Sequence, residues 1–459
     1  MIDTNHKIVP ENLRPALENF WRLSGEKIIA IEREFDASQG APVYTVKGKY
    51  TTRGWTEWTQ GFQYGAALLQ FDATGDENFL RIGLEKTLER MAGHVTHTGV
   101  HDHGFNNVST YGNLLRLMNE GRIPEDRWQR AFLEMALKCS GAVQADRWTQ
   151  LQDGLGYIYS FNGPHSLFAD TMRTLRALAV AHQLNHVLMG ENDARISLLG
   201  RLIAHARTTA KYIVFFGEGR DGYDTRGRVV HECIFNLNDG NFRNPSTQQG
   251  YTPFSTWTRG LAWVMCGFAE QLEFLETLDD EGFLEFGGKE IVTETMLEAA
   301  RATCDFYIQN TPSCGVPYWD TGAPNLDKIE NYLEKPADPF NRYEPVDSSA
   351  AAIAAQGLLR LGKYLGDSDG AQYTNAGLRI MQTLLSAPYL SAAPEHQGLI
   401  LHSVYHWPNR WDYVPAGQEI ACGESTMWGD YHARELVLYM QRIIEWKPYH
   451  TFFSSPTQA

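Results

Sequence analysis

Apolar residues recur at helical spacing along the whole chain, and this periodicity constrains the fold more than any other feature. Convincing alternating strands are rare, with short β pieces expected only near residues 223–235 and 399–405. The periodicity predicts helical segments over residues 10–23, 58–74, 77–93, 107–119, 126–140, 167–187, 192–214, 256–275, 290–309, 348–366, 369–387 and 425–444. The chain is therefore predicted to be all-α.

Successive segments alternate between two kinds of composition. Even-numbered segments, such as WTQGFQYGAALL and SSAAAIAAQGLLRL, are rich in Gly, Ala and aromatic residues, which suits burial on most sides. Odd-numbered segments, such as ENFLRIGLEKTLERMAG, carry charge on one face, as an outer layer does. We predict an (α/α)6 barrel of six inner and six outer helices. No Pro-, Gly- and Ser-rich stretch divides the chain, so residues 1–459 are predicted to form one catalytic domain. An irregular helical array is the alternative.

The charge and the cysteines bear on the class of partner and the compartment. The formal net charge of −15 argues against nucleic acid or an anionic membrane as a partner. The six cysteines are scattered without a CxxC pair, which is typical of a reducing compartment. The N-terminal sequence has no apolar signal core, and no run is long enough to span a membrane. A cytoplasmic protein is predicted.

Polar and aromatic candidate residues lie just before or at the start of the inner segments. They are Asp102, Asp170, His231, Gln249, Trp257, Arg259, Ser348, Ser349 and Ser425. If the inner helices run parallel, these residues meet at one end, where free N–H groups and the positive dipole end favour a carboxylate ligand. Arg259 would add a fixed cation, so that an acidic protein can hold an anion. Capping is the alternative for each serine and for Asp170.

Four histidines fall within ten residues of the stretch GHVTHTGVHDHGF. No HExxH pattern or cysteine partner accompanies them, so no metal site is predicted. We expect His101 to contact a sugar beside a catalytic Asp102, and His94 and His97 to lie at the surface. Two carboxylates in one cleft can divide acid and base roles, because a like charge raises one pKa. Surface aspartates are the alternative for Asp102 and Asp170.

Six motifs, in this order, resemble the unsaturated glucuronyl hydrolase family of glycoside hydrolases. They are HDHGF (101–105), FADTMR (168–173), QGYTPFSTWTRGLAW (249–263), GVPYWDTGAP (315–324), DSSAAAIAAQGLLRL (347–361) and ESTMWGDYHARE (424–435). The resemblance extends from about residue 58 to residue 435. It implies a six-fold α/α barrel.

The resemblance also implies a role for each candidate residue. Asp170 matches the general acid/base of the family, and Asp102 matches its second essential aspartate. Ser425 matches a carboxylate-binding serine. The positions that match substrate subsites are His231, Gln249, Trp257, Arg259 and Trp263. Two departures concern the aglycone side: His103 replaces an apolar residue, and the segment between residues 105 and 170 is longer than expected.

The activity that follows is exo-acting release of a terminal 4,5-unsaturated uronic acid from an oligosaccharide that carries it at the non-reducing end. Asp170 would protonate C4, water would add at C5, and no metal or organic cofactor is expected. Trp257 or Trp263 would stack on the sugar. The alternatives are a hydrolase of saturated glucuronides or of unsaturated rhamnogalacturonides, a sugar epimerase using His101 and His231, and a sugar-binding protein without turnover.

Overall fold

The computed structural model describes residues 1–5, 7–54 and 57–453. It is mostly helical, as predicted, and none of the helices in these ranges is both long and apolar enough to cross a membrane. The helices are α1 Arg14–Glu34, α2 Gln60–Thr74, α3 Glu77–Arg90, α4 Ala92–Val95, α5 His103–Asn107, α6 Asn113–Asn119, α7 Arg127–Asp146, α8 Thr171–Thr174, α9 Arg176–Gln183, α10 Leu198–Tyr212, α11 Thr258–Glu276, α12 Lys289–Asn310, α13 Ser348–Asp369, α14 Ala371–Leu384 and α15 Met427–Ile444.

The segments rich in small residues pack against one another in a closed cycle. The cycle runs from α2 to α5, then to α8, α11, α13 and α15, and α15 packs back against α2. The amphipathic helices α1, α3, α7, α10, α12 and α14 each pack against members of this cycle. The segments rich in small residues therefore form the closed cycle, and the amphipathic segments pack against it.

Glycines allow the helices of the cycle to approach closely. A Cβ atom on Gly104 of α5 would lie 2.3 Å from the carbonyl oxygen of Thr174 on α8. A Cβ atom on Gly267 of α11 would lie 2.7 Å from the backbone of Met172. Neither position can hold a larger residue without moving a helix, which explains the small residues of the inner segments.

Short antiparallel strands lie in the connections. They are β1 Tyr44–Val46, β2 Lys49–Thr51, β3 Trp148–Gln150, β4 Gly156–Ile158, β5 Ser166–Phe168, β6 Leu188–Met189, β7 Arg195–Ile196, β8 Glu232–Phe235 and β9 Phe242–Ser246. Two predicted helices begin later than expected because strands occupy their first residues: β5 precedes α8, and β7 precedes α10. The pairing of β5 with β8 also brings Asp170, just after β5, close to His231, just before β8.

A π-helical turn interrupts the second helix of the cycle. It spans Val108–Gly112 between α5 and α6, so this helical stretch begins at His103 rather than at the predicted residue 107. The Arg176 guanidinium braces the turn by donating to the Gly104 carbonyl at 2.7 Å and the Ser109 hydroxyl at 3.0 Å. A π turn places an extra residue within a helix, consistent with the added length of this region.

Candidate active site

A narrow cleft lies at the N-terminal ends of the inner helices. Nine residues were predicted to catalyse the reaction or to contact the substrate, and all of them except His231 and Ser425 line this cleft, together with four aromatic residues. The lining residues are Trp58, His101, Asp102, Phe105, Phe161, Asp170, Gln249, Trp257, Arg259, Trp263 and Tyr405. A larger groove lies along α1 and the ends of α2 and α15, but its carboxyl groups are exposed or half-buried. Buried carboxyl groups among aromatic rings distinguish the narrow cleft.

Asp170 is held at the junction of β5 and α8 by its backbone. The preceding Ala169 amide donates to the His231 carbonyl at 2.9 Å, and the Asp170 carbonyl accepts from the Arg173 amide at 3.0 Å. The side chain is 13% exposed and makes no capping hydrogen bond within the described structure. Burial raises the pKa of its carboxyl to about 7, against the opposing effect of the Arg259 cation. The carboxyl is therefore available to react.

Asp102 presents a second buried carboxyl to the same cleft. It directly precedes α5, and like Asp170 its side chain forms no cap with the residues that the structure describes. Burial, and next the negative charge of Asp170, raises the pKa of Asp102 to about 7. The charge of Asp170 therefore favours the protonated form of Asp102. Near neutral pH one can donate a proton while the other accepts one.

Two histidines flank the carboxyl pair in neutral form. His231 Nδ1 accepts the backbone N–H groups of Gln248 at 3.1 Å and Gln249 at 3.3 Å, which places the ring proton on Nε2. Nε2 lies 3.9 Å from Asp170 Oδ1. Burial lowers the pKa of His231 to about 3 and holds the pKa of His101 well below its ordinary value. Both rings therefore interact with a ligand as neutral groups.

His101 keeps both ring nitrogens available in the cleft. Neither nitrogen has a hydrogen-bond partner among the described residues, and Nε2 lies 3.8 Å from Asp102 Oδ1. The ring is parallel to that of Phe161, with centroids 6.4 Å apart. Because buried polar atoms are rarely left without partners, these nitrogens mark a position for a polar ligand group.

Arg259 is bound by protein groups on all sides. Its Nη1 donates to Asp347 Oδ2 at 2.6 Å and to the Val404 carbonyl at 2.5 Å. Its Nη2 donates to Gln249 Oε1 at 2.8 Å and to the Tyr405 carbonyl at 2.7 Å. The guanidinium therefore fixes the Gln249 side chain. Asp347 compensates its charge, a neutralisation that the sequence did not reveal.

Aromatic side chains form the walls of the cleft. Trp58 is stacked on Trp428 with centroids 4.9 Å apart, and Trp263 lies against Phe105 at 4.7 Å. Trp257 packs on the His231 ring at 4.6 Å. Sequence analysis did not single out Trp58, Phe105, Phe161 or Tyr405. Trp58 opens the second predicted segment, so the rule that selected the other residues could also have selected it.

Ser425 is not among the residues that line the cleft. Its hydroxyl donates toward the Ile400 carbonyl and the Asp430 carboxylate, both at 2.7 Å, and the residue is fully buried. Helix α15 is capped by Thr426, whose hydroxyl accepts the Gly429 amide. The hydroxyl of Ser425 is committed to holding the loop before α15.

The histidine-rich stretch forms internal hydrogen bonds. His103 lies between the Ser140 hydroxyl at 3.0 Å and the His97 carbonyl at 2.9 Å. His94 was predicted to lie at the surface, and this prediction is wrong. The side chain is buried, and its Nε2 lies 2.8 Å from Gln60 Oε1. Within the described ranges, no group of three His, Cys, Asp or Glu side chains is arranged to hold a metal ion.

Known proteins match most of the chain. It is 27% identical over 403 residues to the unsaturated glucuronyl hydrolase of Bacillus sp. strain GL1, covering 86% of this chain and 89% of that protein. It is 24% identical over 392 residues to the unsaturated glucuronyl hydrolase of Formosa agariphila, covering 84% and 81%. The chain is a distant homologue of the unsaturated glucuronyl hydrolases. No protein-family model matches it.

A solved structure of the unsaturated glucuronyl hydrolase family has the same fold. The enzyme described as specific for heparin superposes with a TM-score of 0.71 at 20% identity, covering 95% of this chain and all of that one. The similarity to unsaturated glucuronyl hydrolases, in sequence and in fold, thus extends over most of the chain.

Proposed function

We propose that this protein is an exo-acting hydrolase that releases a terminal 4,5-unsaturated uronic acid from oligosaccharides produced by a polysaccharide lyase. The observation that carries the proposal is the pair of buried carboxyl groups, Asp102 and Asp170, each with its pKa raised to about 7 in a cleft walled by aromatic rings. The names of the homologous enzymes support this class of substrate.

We infer further that the closed cycle of helices is the inner layer of an (α/α)6 barrel, and that residues 1–459 act as one catalytic domain. In such a barrel the inner helices are parallel, which accounts for candidate residues from the three connections before α5, α8 and α11 lining one cleft. The positive ends of several helix dipoles then favour an anionic sugar at this end.

In the proposed reaction Asp170 is the general acid. Its carboxyl proton adds to C4 of the double bond, and a water molecule adds its oxygen to C5 while giving a proton back to the carboxylate. Asp102 holds that water from the other side of the cleft. The hemiketal at C5 opens to a ketone, leaving a hemiacetal at C1, which releases the remaining sugar as an alcohol. Positioned proton transfer of this kind contributes ~10²–10⁴-fold to a rate.

Neutral groups would bind and orient the sugar in this scheme. His231 Nε2–H and the two free nitrogens of His101 can bond to hydroxyl groups of the uronate, and Gln249 is fixed for the same purpose by Arg259. Trp257 and Trp263 offer faces for stacking on the ring. The substrate carboxylate would be stabilised by helix dipoles and amide donors rather than by an unpaired cation.

The electrostatics favour this reaction over epimerisation by histidine. An epimerase would need His101 and His231 to exchange protons near neutral pH. Burial keeps the pKa of His231 at about 3 and that of His101 well below its ordinary value, so neither ring is readily protonated there. The two carboxyl groups are better matched to proton transfer at neutral pH.

A panel of disaccharides tests the proposal. Unsaturated disaccharides from hyaluronan, chondroitin, heparin, xanthan and rhamnogalacturonan would be compared with their saturated counterparts, following loss of alkene absorbance and release of reducing sugar. We expect turnover of at least one unsaturated compound and none of its saturated form. Binding of the compounds without turnover would support the sugar-binding alternative. Equal cleavage of saturated glucuronides would overturn the proposed reaction.

A further inference from the structure

Asp347 forms a buried ion pair with Arg259 beneath the cleft. The two groups are 2.6 Å apart, and their side chains are 2% exposed or less. The other carboxylate oxygen of Asp347 accepts the Ser349 hydroxyl at 2.5 Å and the amides of Ser349 and Ala350 at 3.0 and 3.3 Å. Both oxygens are thus committed, so the carboxylate cannot turn away from the guanidinium.

Arg259 is at the same time a neighbour of Asp170. Both residues line the cleft, and the guanidinium cation acts on the Asp170 carboxyl by favouring its ionised form. An uncompensated cation beside a general acid would remove the proton that the reaction needs. The ion pair opposes this effect, because the negative charge of Asp347 lies 2.6 Å from the guanidinium.

We propose that Asp347 is a positioning residue of the reaction, which keeps Asp170 protonated by compensating the charge of Arg259. This inference rests on the proposed function, in which Asp170 donates a proton to C4. It assigns the start of the DSSAAAIAA motif a role beyond capping α13.

Four other titratable groups lie around Asp170 and Arg259. His231 next to Asp170 and His406 behind Arg259 are neutral, because burial lowers their pKa values to about 3 and about 4. Asp412 is a second carboxyl that interacts with Arg259, and it is held by the Tyr405 and His406 amides, whose hydrogen bonds it accepts. Asp102 lines the same cleft, and the charge of Asp170 raises its pKa in the same direction as burial does.

Three variants separate charge compensation from capping. Asparagine caps helices as well as aspartate, so Asp347→Asn keeps the cap and removes the charge. The basic limb of the pH profile of kcat/KM should then move to lower pH by roughly one unit, because the unbalanced cation favours ionised Asp170. Arg259→Gln should move this limb to higher pH. The double variant Asp347→Asn/Arg259→Gln should return it to the wild-type position.

A purely structural role would not produce shifts of opposite sign that cancel. The matched control is Asp126→Asn, which makes the same change at the exposed cap of α7 and should leave the limb in place. If Asp347→Asn does not fold, Gln249→Glu is used in its place. A carboxylate added beside Arg259 should move the basic limb of kcat/KM to higher pH. The inference would be overturned if the basic limb of the kcat/KM profile does not move in a folded Asp347→Asn variant. If Gln249→Glu is used instead, an unchanged basic limb in that variant would overturn it.

A second measurement keeps this inference separate from the proposed function. The Asp170 carboxyl can be titrated by ¹³C NMR in protein labelled at aspartate, with the signal assigned by its loss in Asp170→Asn. A lower pKa of Asp170 in Asp347→Asn than in wild type supports compensation even if the wild type turns over no unsaturated disaccharide. An unchanged pKa contradicts it, even if the enzyme is active as proposed.

Discussion

Replacing the general acid should stabilise the protein at neutral pH. The folded state raises the pKa of Asp170 from 3.8 to about 7, so it binds this proton more tightly than the unfolded chain does. Stability is therefore lost as pH rises from about 4 to about 7, and the loss is complete above that. About three pKa units at 1.36 kcal/mol each give an upper value of about 4 kcal/mol.

Asp170→Asn removes this loss, because an amide does not ionise. Allowing for the coupling to Asp102 and the partial exposure of the carboxyl, we expect a gain of about 2–4 kcal/mol at pH 8. For a chain of this length the entropy of unfolding, ~2.1 cal/mol/K per residue, converts the gain to an increase in Tm of roughly 2–4 °C.

The assay is scanning calorimetry of wild type and Asp170→Asn at pH 4 and pH 8, at one scan rate. The difference in Tm should appear at pH 8 and be much smaller at pH 4, where the carboxyl is protonated in the folded state and still partly protonated in the unfolded state, whose pKa is 3.8. Asp126→Asn, at an exposed helix cap, should show no gain at either pH. A variant less stable than wild type at pH 8, or a difference independent of pH, would refute a buried, protonated Asp170.

Three further outcomes are expected. The basic limb of kcat/KM should lie near pH 7 in wild type, as the carboxyl pair loses its protons, and a limb above pH 9 would exclude the pair as the proton donor. Phe161→Ala should raise KM by roughly 2–10-fold with Tm almost unchanged, because an exposed aromatic face worth about 0.5–1.5 kcal/mol is lost; an unchanged KM would place the sugar elsewhere. Ser425→Ala should lower stability by about 1–3 kcal/mol and leave KM unaltered, since the buried Ile400 carbonyl and Asp430 carboxylate lose the one hydroxyl proton that they share; a large rise in KM at constant Tm would return Ser425 to the binding site.

Local composition and periodicity predicted much of the fold. The Gly- and Ala-rich segments were assigned to the inner positions because small residues permit close contact, and Gly104 and Gly267 show that contact directly. The starts of these segments also indicated most of the cleft residues. The strand β5 was missed, since its three residues continue the apolar pattern of the following helix.

Features that depend on distant pairing were beyond the sequence. The approach of His231 to Asp170 arises from the pairing of β8 with β5, and Tyr405 enters the cleft from an irregular loop. Arg259 was expected to act as a cation for the substrate, but the compensating Asp347 lies 88 positions away along the chain. Ser425 was selected by its position before a helix, which does not specify where its hydroxyl is directed.

Hydrolysis in heavy water shows whether the C4=C5 double bond of the uronate is the first bond to be broken. Wild-type enzyme would act on an unsaturated disaccharide and on its sulfur-linked analogue, with products examined by NMR. We expect one deuterium at C4, added from a single face because Asp170 lies on one side of the ring, and comparable rates for both compounds. A sulfur analogue that is not cleaved, with no deuterium at C4 of the product, would show that the protein protonates the glycosidic oxygen as ordinary glycosidases do.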